Sequence, residues 1–261
     1  MSYGKRIHYK RVNTIGILTL DNPPLNIVDE LFFLELEEVQ KEIFSDKSLR
    51  VIVILSQGKA FSGGIDLEYL ENHVASSQFI KDNLGWLQDL YSFWQKLPIP
   101  VIAGIHGYCI GSGVEFIAGV DLRIAAVSSV FSLPEVQLGL SPDMGGTTRI
   151  TKLVGIGQAK RLIMACDKID GNEAHRIGLV EYLVEDNALN DFVMNLANKL
   201  ANFPPSSLRF AKKGINLASE SSIEAGLLFE QAQSVYCCGT EDIKEGISSF
   251  KEKRIPQFKD K

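Results

Sequence analysis

The chain has 261 residues, of which 45% are hydrophobic and 23% charged, so it can bury a large core as one α/β domain or a domain with an appendage. Its formal net charge of -5 and pI of about 5.5 disfavour nucleic-acid binding, which calls for clustered Lys and Arg. This composition also argues against a disordered or fibrous chain.

The N-terminus and the cysteines indicate the compartment. Residues 1–13 carry positive charge but lack the apolar core of a signal peptide, and no apolar run elsewhere is long enough to span a bilayer. The cysteines are too few for a disulfide framework and lack metal-binding spacing: Cys109, Cys166, Cys237 and Cys238. We therefore expect a soluble cytoplasmic protein with no presequence and no metal site.

The first part of the chain alternates strand and helix patterns. Ile15–Leu20 is a β-rich run that ends at the turn formers of residues 21–24, and residues 30–44 place apolar side chains at helical spacing. Residues 51–55 are continuously apolar, which is typical of a strand buried on both faces of a parallel sheet. Residues 58–64 follow as a glycine-rich loop.

The central part repeats this alternation. Residues 71–96 have a mainly helical pattern rich in aromatic side chains, which we interpret as a packing face. Residues 101–105 predict another buried strand, residues 107–113 a glycine-rich turn, and residues 114–118 the start of a helix. Alternating strands and helices favour right-handed βαβ crossovers in a parallel sheet.

Two short strands are predicted at 122–126 and 130–132, before a segment dense in turn formers at 134–146. From Thr147 onward the pattern is mostly helical, with helices at 156–165, 171–177, 187–201 and 206–218 and an amphipathic stretch around 220–253. We predict a core over residues 1–200 and a helical region over residues 201–261 that covers a site or mediates assembly.

Two glycine-rich loops have the composition of ligand-binding backbone. Residues 62–66 and 111–113 lack several Cβ atoms, so their N–H groups can point into a common space, and the second loop opens a helix where unpaired N–H groups gather. Each loop alone is better explained as a tight turn, but as a pair they could stabilise an oxyanion. Neither is a nucleotide site, because Phe116 replaces the third glycine of the dinucleotide fingerprint and GK[ST] is absent.

Three carboxylates are candidates for acid-base chemistry. Glu115 follows the second loop, Glu135 stands among apolar neighbours that would raise its pKa, and Asp143 follows a proline. Interaction with a helix N-terminus would also explain Glu115, and a turn would also explain Asp143. The spacing leaves open whether the three meet in space. His106, at a strand end, is more typical of a turn residue than of a catalyst.

Four ordered motifs resemble the enoyl-CoA hydratase/isomerase family, also called the crotonase superfamily, across essentially the whole chain. They are NPPLNIVD around Asn26, KAFSGGIDL at 59–67, PVIAGIHGYCIGSGVEF at 100–116 and PEVQLGLSPDMGGTTRI at 134–150. The resemblance implies an α/β fold with a repeated ββα spiral core and a helical C-terminal trimerisation region, assembled as a homotrimer or homohexamer.

The same resemblance implies where substrate binds. The backbone N–H groups of Ile65 and Ser112 would form an oxyanion hole, although glycine often stands in the place of Ser112. Coenzyme A and substrate are expected near Leu25, Ala60, Ser62, Gly64, Asp66, Leu67 and Gly111. Part of residues 79–94 is a candidate wall of the acyl pocket. The acyl-CoA thioester would be the substrate, with no metal or redox cofactor, in fatty acid metabolism.

Glu115 and Glu135 match the two glutamates of the hydratases, which favours syn addition of water to a 2-enoyl-CoA. Asp143 departs from the commonest hydratase pattern and matches an acid of dienoyl-CoA isomerases. A double-bond isomerase of dienoyl-CoA or 3-enoyl-CoA, or an alicyclic dienoyl-CoA hydratase, using Glu135 and Asp143, therefore stays open. A non-catalytic or RNA-binding member of the family is a third hypothesis, disfavoured by the acidic charge.

Overall fold

The computed structural model describes residues 5–261, which form two sheets and a set of helices. Residues 1–4 of the N-terminal segment considered above lie outside the described part. The strands are β1 (Ile7–Val12), β2 (Ile15–Leu20), β3 (Val51–Ser56), β4 (Ala60–Ser62), β5 (Val101–Ile105), β6 (Tyr108–Ile110), β7 (Leu122–Ala126), β8 (Val130–Ser132), β9 (Ile169–Asp170) and β10 (Tyr182–Val184).

The α-helices are α1 (Glu30–Ser45), α2 (Leu67–Tyr69), α3 (Ser77–Lys96), α4 (Ser112–Ile117), α5 (Thr151–Met164), α6 (Gly171–Arg176), α7 (Leu189–Ala201), α8 (Pro205–Ala218), α9 (Ile223–Cys238) and α10 (Glu241–Glu252). Two π-helical turns adjoin them, Leu70–Val74 after α2 and Gly146–Ile150 before α5. Two short 3-10 helices complete the set, Glu135–Leu138 and Asp186–Ala188. No helix within residues 5–261 combines the length and apolar character needed to cross a membrane.

The chain winds between the two sheets in successive turns. The larger sheet has the order β1-β2-β3-β5-β7-β10 and the smaller one β4-β6-β8-β9. The strand pairs β3 and β4, β5 and β6, and β7 and β8 each send their first strand to the larger sheet and their second to the smaller, with parallel pairing between turns. A helical segment follows each pair. This confirms the repeated ββα core that the resemblance implies.

The larger sheet is buried on both faces. One face packs against α7 through the apolar side chains of Val51, Val53 and Ile102, which meet Val193 and Ala197. The opposite face belongs to the main core, which is shared with α1, α3, α4 and the smaller sheet. Because both faces exclude water, strands β3 and β5 are continuously apolar rather than alternating.

An aromatic cluster fixes the short helix α4. Phe116 of α4 lies edge-on to Tyr91 and Trp94 of α3, with ring centroids 5.2 and 5.8 Å apart, and also contacts Phe32 and Phe61. Tyr91 and Trp94 are fully buried. A helix of one and a half turns has little stability of its own, so this tertiary packing must hold α4 in place.

A buried ion pair joins the C-terminal helices to the core. The Lys212 Nζ of α8 lies 2.7 Å from Asp121 Oδ2 and donates hydrogen bonds to the carbonyl oxygens of Trp94 and Ile99. These carbonyls end α3 and precede β5, so α8 is anchored across two core elements. The division of the chain near residue 200 falls between α7 and α8 and stays a prediction.

Most predicted elements are present, including β2, β3, β5, β7, β8 and helices α1 and α5 to α8. The prediction of a packing face in residues 71–96 is confirmed, since Leu87, Leu90, Tyr91 and Trp94 are core residues. The segment is not one helix, because Ser76 accepts a hydrogen bond from Phe79 N and starts α3 anew. The amphipathic stretch at 220–253 is likewise broken between α9 and α10, at residues 239–240.

Five strands were not predicted as strands. Strands β4 and β6 lie inside the segments predicted as glycine-rich loops, and β1, β9 and β10 have no predicted counterpart. Strands β4, β6, β9 and β10 have only two or three residues each and no clear alternation, so pairing with distant strands is what makes them extended. Strand β1 places only Ile7 and Tyr9 towards the core before the adjacent charged residues Lys10 and Arg11, so its alternation is too short to identify a strand, and it is formed by antiparallel pairing with β2.

Candidate active site

The two glycine-rich loops lie side by side because the strands before them are neighbours. Strands β4 and β6 pair in parallel, so the loop at residues 62–66 and the turn at Gly111 leave the same edge of the smaller sheet. Gly64 has φ of +90°, and a Cβ there would lie 3.0 Å from the carbonyl oxygen of Ile110. A Cβ at Gly113 would lie 2.9 Å from Ser62 Cβ. Glycine is therefore required for the loops to approach each other.

Each loop contains a backbone N–H group that has no acceptor among the described residues and belongs to a residue lining the same cavity. Val28 N donates to Gly64 O and Asp66 N donates to Val28 O, which leaves the Ile65 N–H directed away from this bridge. Ser112 is the first residue of α4, so its N–H has no acceptor within the helix. Neither N–H donates a hydrogen bond among residues 5–261, and both residues line one cavity.

Glu115 is buried and held by a turn from another part of the chain. It is 2% exposed, and its Oε1 accepts hydrogen bonds of 2.9 Å from both Met144 N and Gly146 N. No salt bridge reaches it within the described part of the chain. Burial, together with the negative charges of Glu135 and Asp143, raises the pKa of Glu115 to about 8, although the two N–H donors oppose the shift.

Glu135 begins the 3-10 helix at Glu135–Leu138 and lies against the second loop. Its Oε1 would be 2.7 Å from a Cβ at Gly111, so the carboxylate touches the loop that carries the Ser112 donor. Its Oε2 is buried without a hydrogen-bond partner among the described residues. Burial, together with the charge of Asp143, raises the pKa of Glu135 to about 7. An unpartnered buried oxygen is available to a bound ligand or water.

Asp143 lies at the mouth of the same cavity. The residue as a whole is exposed to solvent. Its carboxyl group is nevertheless partly removed from water by surrounding atoms, and this desolvation raises its pKa. The backbone around it is fixed, since Gln88 Nε2 of α3 donates a 2.7 Å hydrogen bond to Asp143 O. The structure therefore brings together all three carboxylates predicted from the sequence.

The cavity has a volume of about 130 Å³ and joins the donors to the carboxylates. Its lining includes Ile65, Ser112, Glu115, Glu135 and Asp143. Apolar side chains form much of the remaining wall: Leu67, Leu70, Val74, Ile110, Pro134, Leu138, Leu140, Pro142 and Met144. A largely apolar pocket with a few convergent polar groups is the usual form of a small-molecule site.

The ligand-binding residues predicted from the resemblance fall into two groups. Gly64, Leu67 and Gly111 line the cavity. The other four do not: Leu25, Ala60, Ser62 and Asp66. Ser62 Oγ donates to Asn26 O, and Asp66 Oδ1 accepts from Tyr69 N, so these two side chains shape the first loop and start α2.

Several site residues were not identified from the sequence. Met144 and Gly146 supply the donors to Glu115, and Leu70 and Val74 wall the cavity where residues 79–94 were the candidate. The motif at 134–150 contains Met144 and Gly146, but backbone donors leave no side-chain signal in a sequence.

His106 lies away from this site. Its ring nitrogens are within 3.3 Å of Ser56 Oγ and Gly58 O, which confirms a structural role at a turn. Within residues 5–261 no group of three or more His, Cys, Asp or Glu side chains is arranged to hold a metal ion.

Comparisons with known proteins give one consistent family. The family model described as enoyl-CoA hydratase/isomerase matches residues 10–261. A protein named probable enoyl-CoA hydratase from Mycobacterium tuberculosis is 34% identical over 99% of both chains, and the short-chain-enoyl-CoA hydratase of Clostridium acetobutylicum is 33% identical over 95% of both. The crystal structure of an enoyl-CoA hydratase from Bacillus anthracis superposes with a TM-score of 0.92 at 29% identity, covering 98% of this chain and 100% of that one.

The raised pKa of Glu115 predicts a stability that falls as pH rises. A carboxyl group whose pKa is higher in the folded state than the ordinary value of 4.5 binds more protons when folded, so its stabilising contribution is full below that value and lost as pH rises towards about 8. Glu115→Gln should remove this loss, because a neutral amide accepts the same two hydrogen bonds without a buried charge. We expect urea unfolding to show the variant gaining stability over the wild type from about pH 5 to pH 8.

The matched control is Glu38→Gln, which changes an exposed carboxylate on α1. It should follow the wild type across the pH range. A Glu115→Gln variant whose stability parallels the wild type at every pH would show that Glu115 does not titrate as described.

Proposed function

The chain belongs to the enoyl-CoA hydratase/isomerase family, and from that premise we propose that it is an enoyl-CoA hydratase, which adds water to the double bond of a 2-enoyl-CoA thioester. The observation that supports this most is the cavity in which Glu115 and Glu135 lie beside two free backbone donors. The relatives reported above, named as hydratases, agree with it. The acyl-CoA is the substrate, and acid-base chemistry needs no metal or redox cofactor.

The two backbone donors would act on the thioester oxygen. As water adds, negative charge develops on this oxygen, and we assign its stabilisation to the N–H groups of Ile65 and Ser112. Donors held by loop geometry need little reorganisation when the charge appears. The side chain of Ser112 does not weaken this role, because the donor belongs to the main chain.

Glu115 and Glu135 would exchange the protons. The two buried carboxyl groups have raised pKa values of about 8 and 7 and titrate as a coupled pair. We propose that hydration starts from the form in which Glu135 carries a proton and Glu115, which accepts two N–H hydrogen bonds, is ionised. Ionised Glu115 takes a proton from the water molecule as the water oxygen bonds to the β-carbon. Protonated Glu135 gives its proton to the α-carbon. One C–O bond and one C–H bond replace the π bond, and the pair again holds one proton. Both groups act from one side, so the addition is syn.

We place the coenzyme on the outer side of the first loop. Gly63 N donates to Leu25 O at 2.6 Å, and Asn26 Nδ2 donates to Ala60 O at 2.8 Å, so residues 25–26 and the first loop form one continuous surface. Leu25 is 42% exposed there, whereas Ala60 and Ser62 are buried and support the backbone beneath it. Gly64, Leu67 and Gly111 would then contact the acyl group of the substrate. Asp66 would lie between the acyl group and the coenzyme.

The proposed assembly is a homotrimer or homohexamer formed through residues 201–261. Helices α8 to α10 carry large apolar side chains that are mostly exposed in the single chain: Ile215, Ile223, Leu227, Leu228, Val235, Tyr236, Ile247 and Phe250. Apolar surface of this extent marks a protein interface. We further propose that the enzyme works in cytoplasmic fatty acid metabolism, a setting compatible with its four free cysteines.

Sedimentation equilibrium tests the assembly. We expect the mass of three or six chains of 28.9 kDa. A Phe250→Glu variant, which places a charge on this exposed apolar surface, should shift the equilibrium towards smaller species. A wild-type mass of one chain at micromolar concentration would contradict the proposal.

Hydration itself is tested with crotonyl-CoA, whose enoyl-thioester absorbance disappears when water adds. We expect the wild type to remove this absorbance and Glu135→Gln to lose at least about 100-fold in kcat, because the variant keeps the cavity but cannot give a proton to carbon. Glu38→Gln should keep the wild-type rate. A wild type inert on short, medium and long 2-enoyl-CoAs would contradict the proposed function.

Asp143 supports double-bond isomerisation as a second candidate activity. Its carboxylate lines the cavity, and its charge raises the pKa of both Glu115 and Glu135. Asp143→Asn removes this charge, so both limbs of the pH profile of hydration should move to lower pH. The same change should lower any 3-enoyl-CoA or dienoyl-CoA isomerisation much more than hydration, as product identification by chromatography can show. A wild type without isomerase activity would reject this second activity, and an unshifted pH profile would contradict the electrostatic coupling.

A further inference from the structure

The turn at residues 143–146 carries one carboxylate and orients another. Asp143 projects from it into the cavity, while its Met144 and Gly146 N–H groups hold Glu115 Oε1. These two donors belong to peptide groups that flank the peptide between Met144 and Gly145. Any rotation of that middle peptide would therefore move both donors, and the orientation of Glu115 with them.

Arg149 holds this middle peptide. Its Nη1 donates a 3.1 Å hydrogen bond to Met144 O. Its side chain also packs directly on the turn, since a Cβ at Gly145 would lie 2.1 Å from Nη1. Gly145 has φ of +118°, so glycine is required there both by conformation and by contact with the guanidinium group.

Helix α3 supplies the remaining partners. Arg149 Nη2 donates to Ser92 Oγ at 2.6 Å and Nε donates to Gln95 Oε1 at 3.2 Å. Ser92 Oγ in turn donates to Gln88 O at 2.6 Å, and Gln88 Nε2 donates to Asp143 O. Residues 88, 92 and 95 share one face of the helix. The turn is thus tied to α3 at two consecutive carbonyl groups.

The charge of Arg149 is not used in an ion pair within residues 5–261. Partial burial lowers its pKa, and the carboxylates of Glu115 and Glu220 oppose that shift. Lys152, near the start of α5, lies 3.5 Å from Glu220, and Glu115 is the buried carboxylate that the guanidinium of Arg149 influences. The guanidinium group is partly buried, and its three hydrogen bonds to neutral acceptors offset part of the cost of removing its charge from water.

We propose that Arg149, tied to α3 through Ser92 and Gln95, is a positioning residue that holds the turn at residues 143–146 and thereby orients Glu115 for catalysis. It does not contact the cavity itself. The proposal deepens the proposed function, since it rests on the use of Glu115 in hydration. The orientation of Glu115 by Arg149 can also be tested independently of the reaction.

Kinetics test the catalytic part. Arg149→Gln should lower kcat for crotonyl-CoA about 10- to 100-fold while KM changes by less than about threefold, because the coenzyme binds elsewhere and only the orientation of a catalytic group is lost. Arg149→Lys should lose less, as it keeps the charge and one donor. In a Glu115→Gln background, Arg149→Gln should cause no further loss, since the two residues act in one unit. A purely structural Arg would lower both backgrounds equally.

Arg161→Gln is the matched control. This Arg also makes three side-chain contacts, with Asp167, Gln158 and Glu173, but lies outside the cavity lining and the turn. Its loss should change thermal stability without changing kcat. If Arg149→Gln fails to fold, Arg149→Lys and Ser92→Ala carry the test. An unchanged kcat in folded Arg149 variants, or equal losses in both backgrounds, would overturn the proposal.

Infrared titration separates this inference from the proposed function. The carboxyl band that disappears in Glu115→Gln reports the ionisation of Glu115. In Arg149→Gln its midpoint should shift upward, because the neighbouring positive charge is gone and the two donors are less firmly held, while Arg161→Gln leaves it in place. An unshifted midpoint overturns the inference even if the wild type hydrates 2-enoyl-CoA. If the midpoint shifts in Arg149→Gln but the wild type has no hydratase activity, the result supports the positioning of Glu115 and rejects the proposed function.

Discussion

The site depends on one interaction, the burial of the Glu115 carboxylate against two backbone N–H groups. A carboxylate that is 2% exposed would be costly to ionise, and the hydrogen bonds from Met144 and Gly146 reduce that cost without removing it. The result is a group that can gain or lose a proton near neutral pH. Glu135 and Asp143 add negative charge nearby and hold the site in this range.

The fold supplies the geometry that this interaction needs. The alternation of strands between two sheets places β4 and β6 side by side, so two loops distant in sequence meet at one edge. The aromatic cluster around Phe116 holds α4, and α4 holds both the Ser112 donor and Glu115. The stability of the core therefore keeps buried, mutually repelling carboxylates close together, and such perturbed groups are common in active sites.

The sequence predicts much of this arrangement, for identifiable reasons. The long buried strands and the helices carry strong periodic signals, and the glycines of the two loops must be glycine because the backbones nearly touch. Glu135 can be named because it stands among apolar residues, and Glu115 because it follows the second glycine-rich loop, whereas the role of Asp143 depends on the family resemblance. Strands such as β4 and β6, by contrast, become extended only through pairing with each other.

The environment of the carboxylates was harder to predict. Glu115 and its donors are about thirty residues apart in sequence, and the donors are backbone groups that any residue could supply. The support of Arg149 by Ser92 and Gln95 requires knowledge of how α3 packs, which a single sequence does not contain. The sequence pattern therefore identifies the candidate catalytic side chains, and the tertiary structure determines how they are held in place.

The most direct test of the whole account is a crystal structure of the Glu135→Gln variant with a bound 2-enoyl-CoA. The account predicts the thioester oxygen within hydrogen-bond distance of both the Ile65 and Ser112 N–H groups, and a water molecule at Glu115 facing the β-carbon. A thioester oxygen bound elsewhere, or a β-carbon directed away from Glu115, would contradict it.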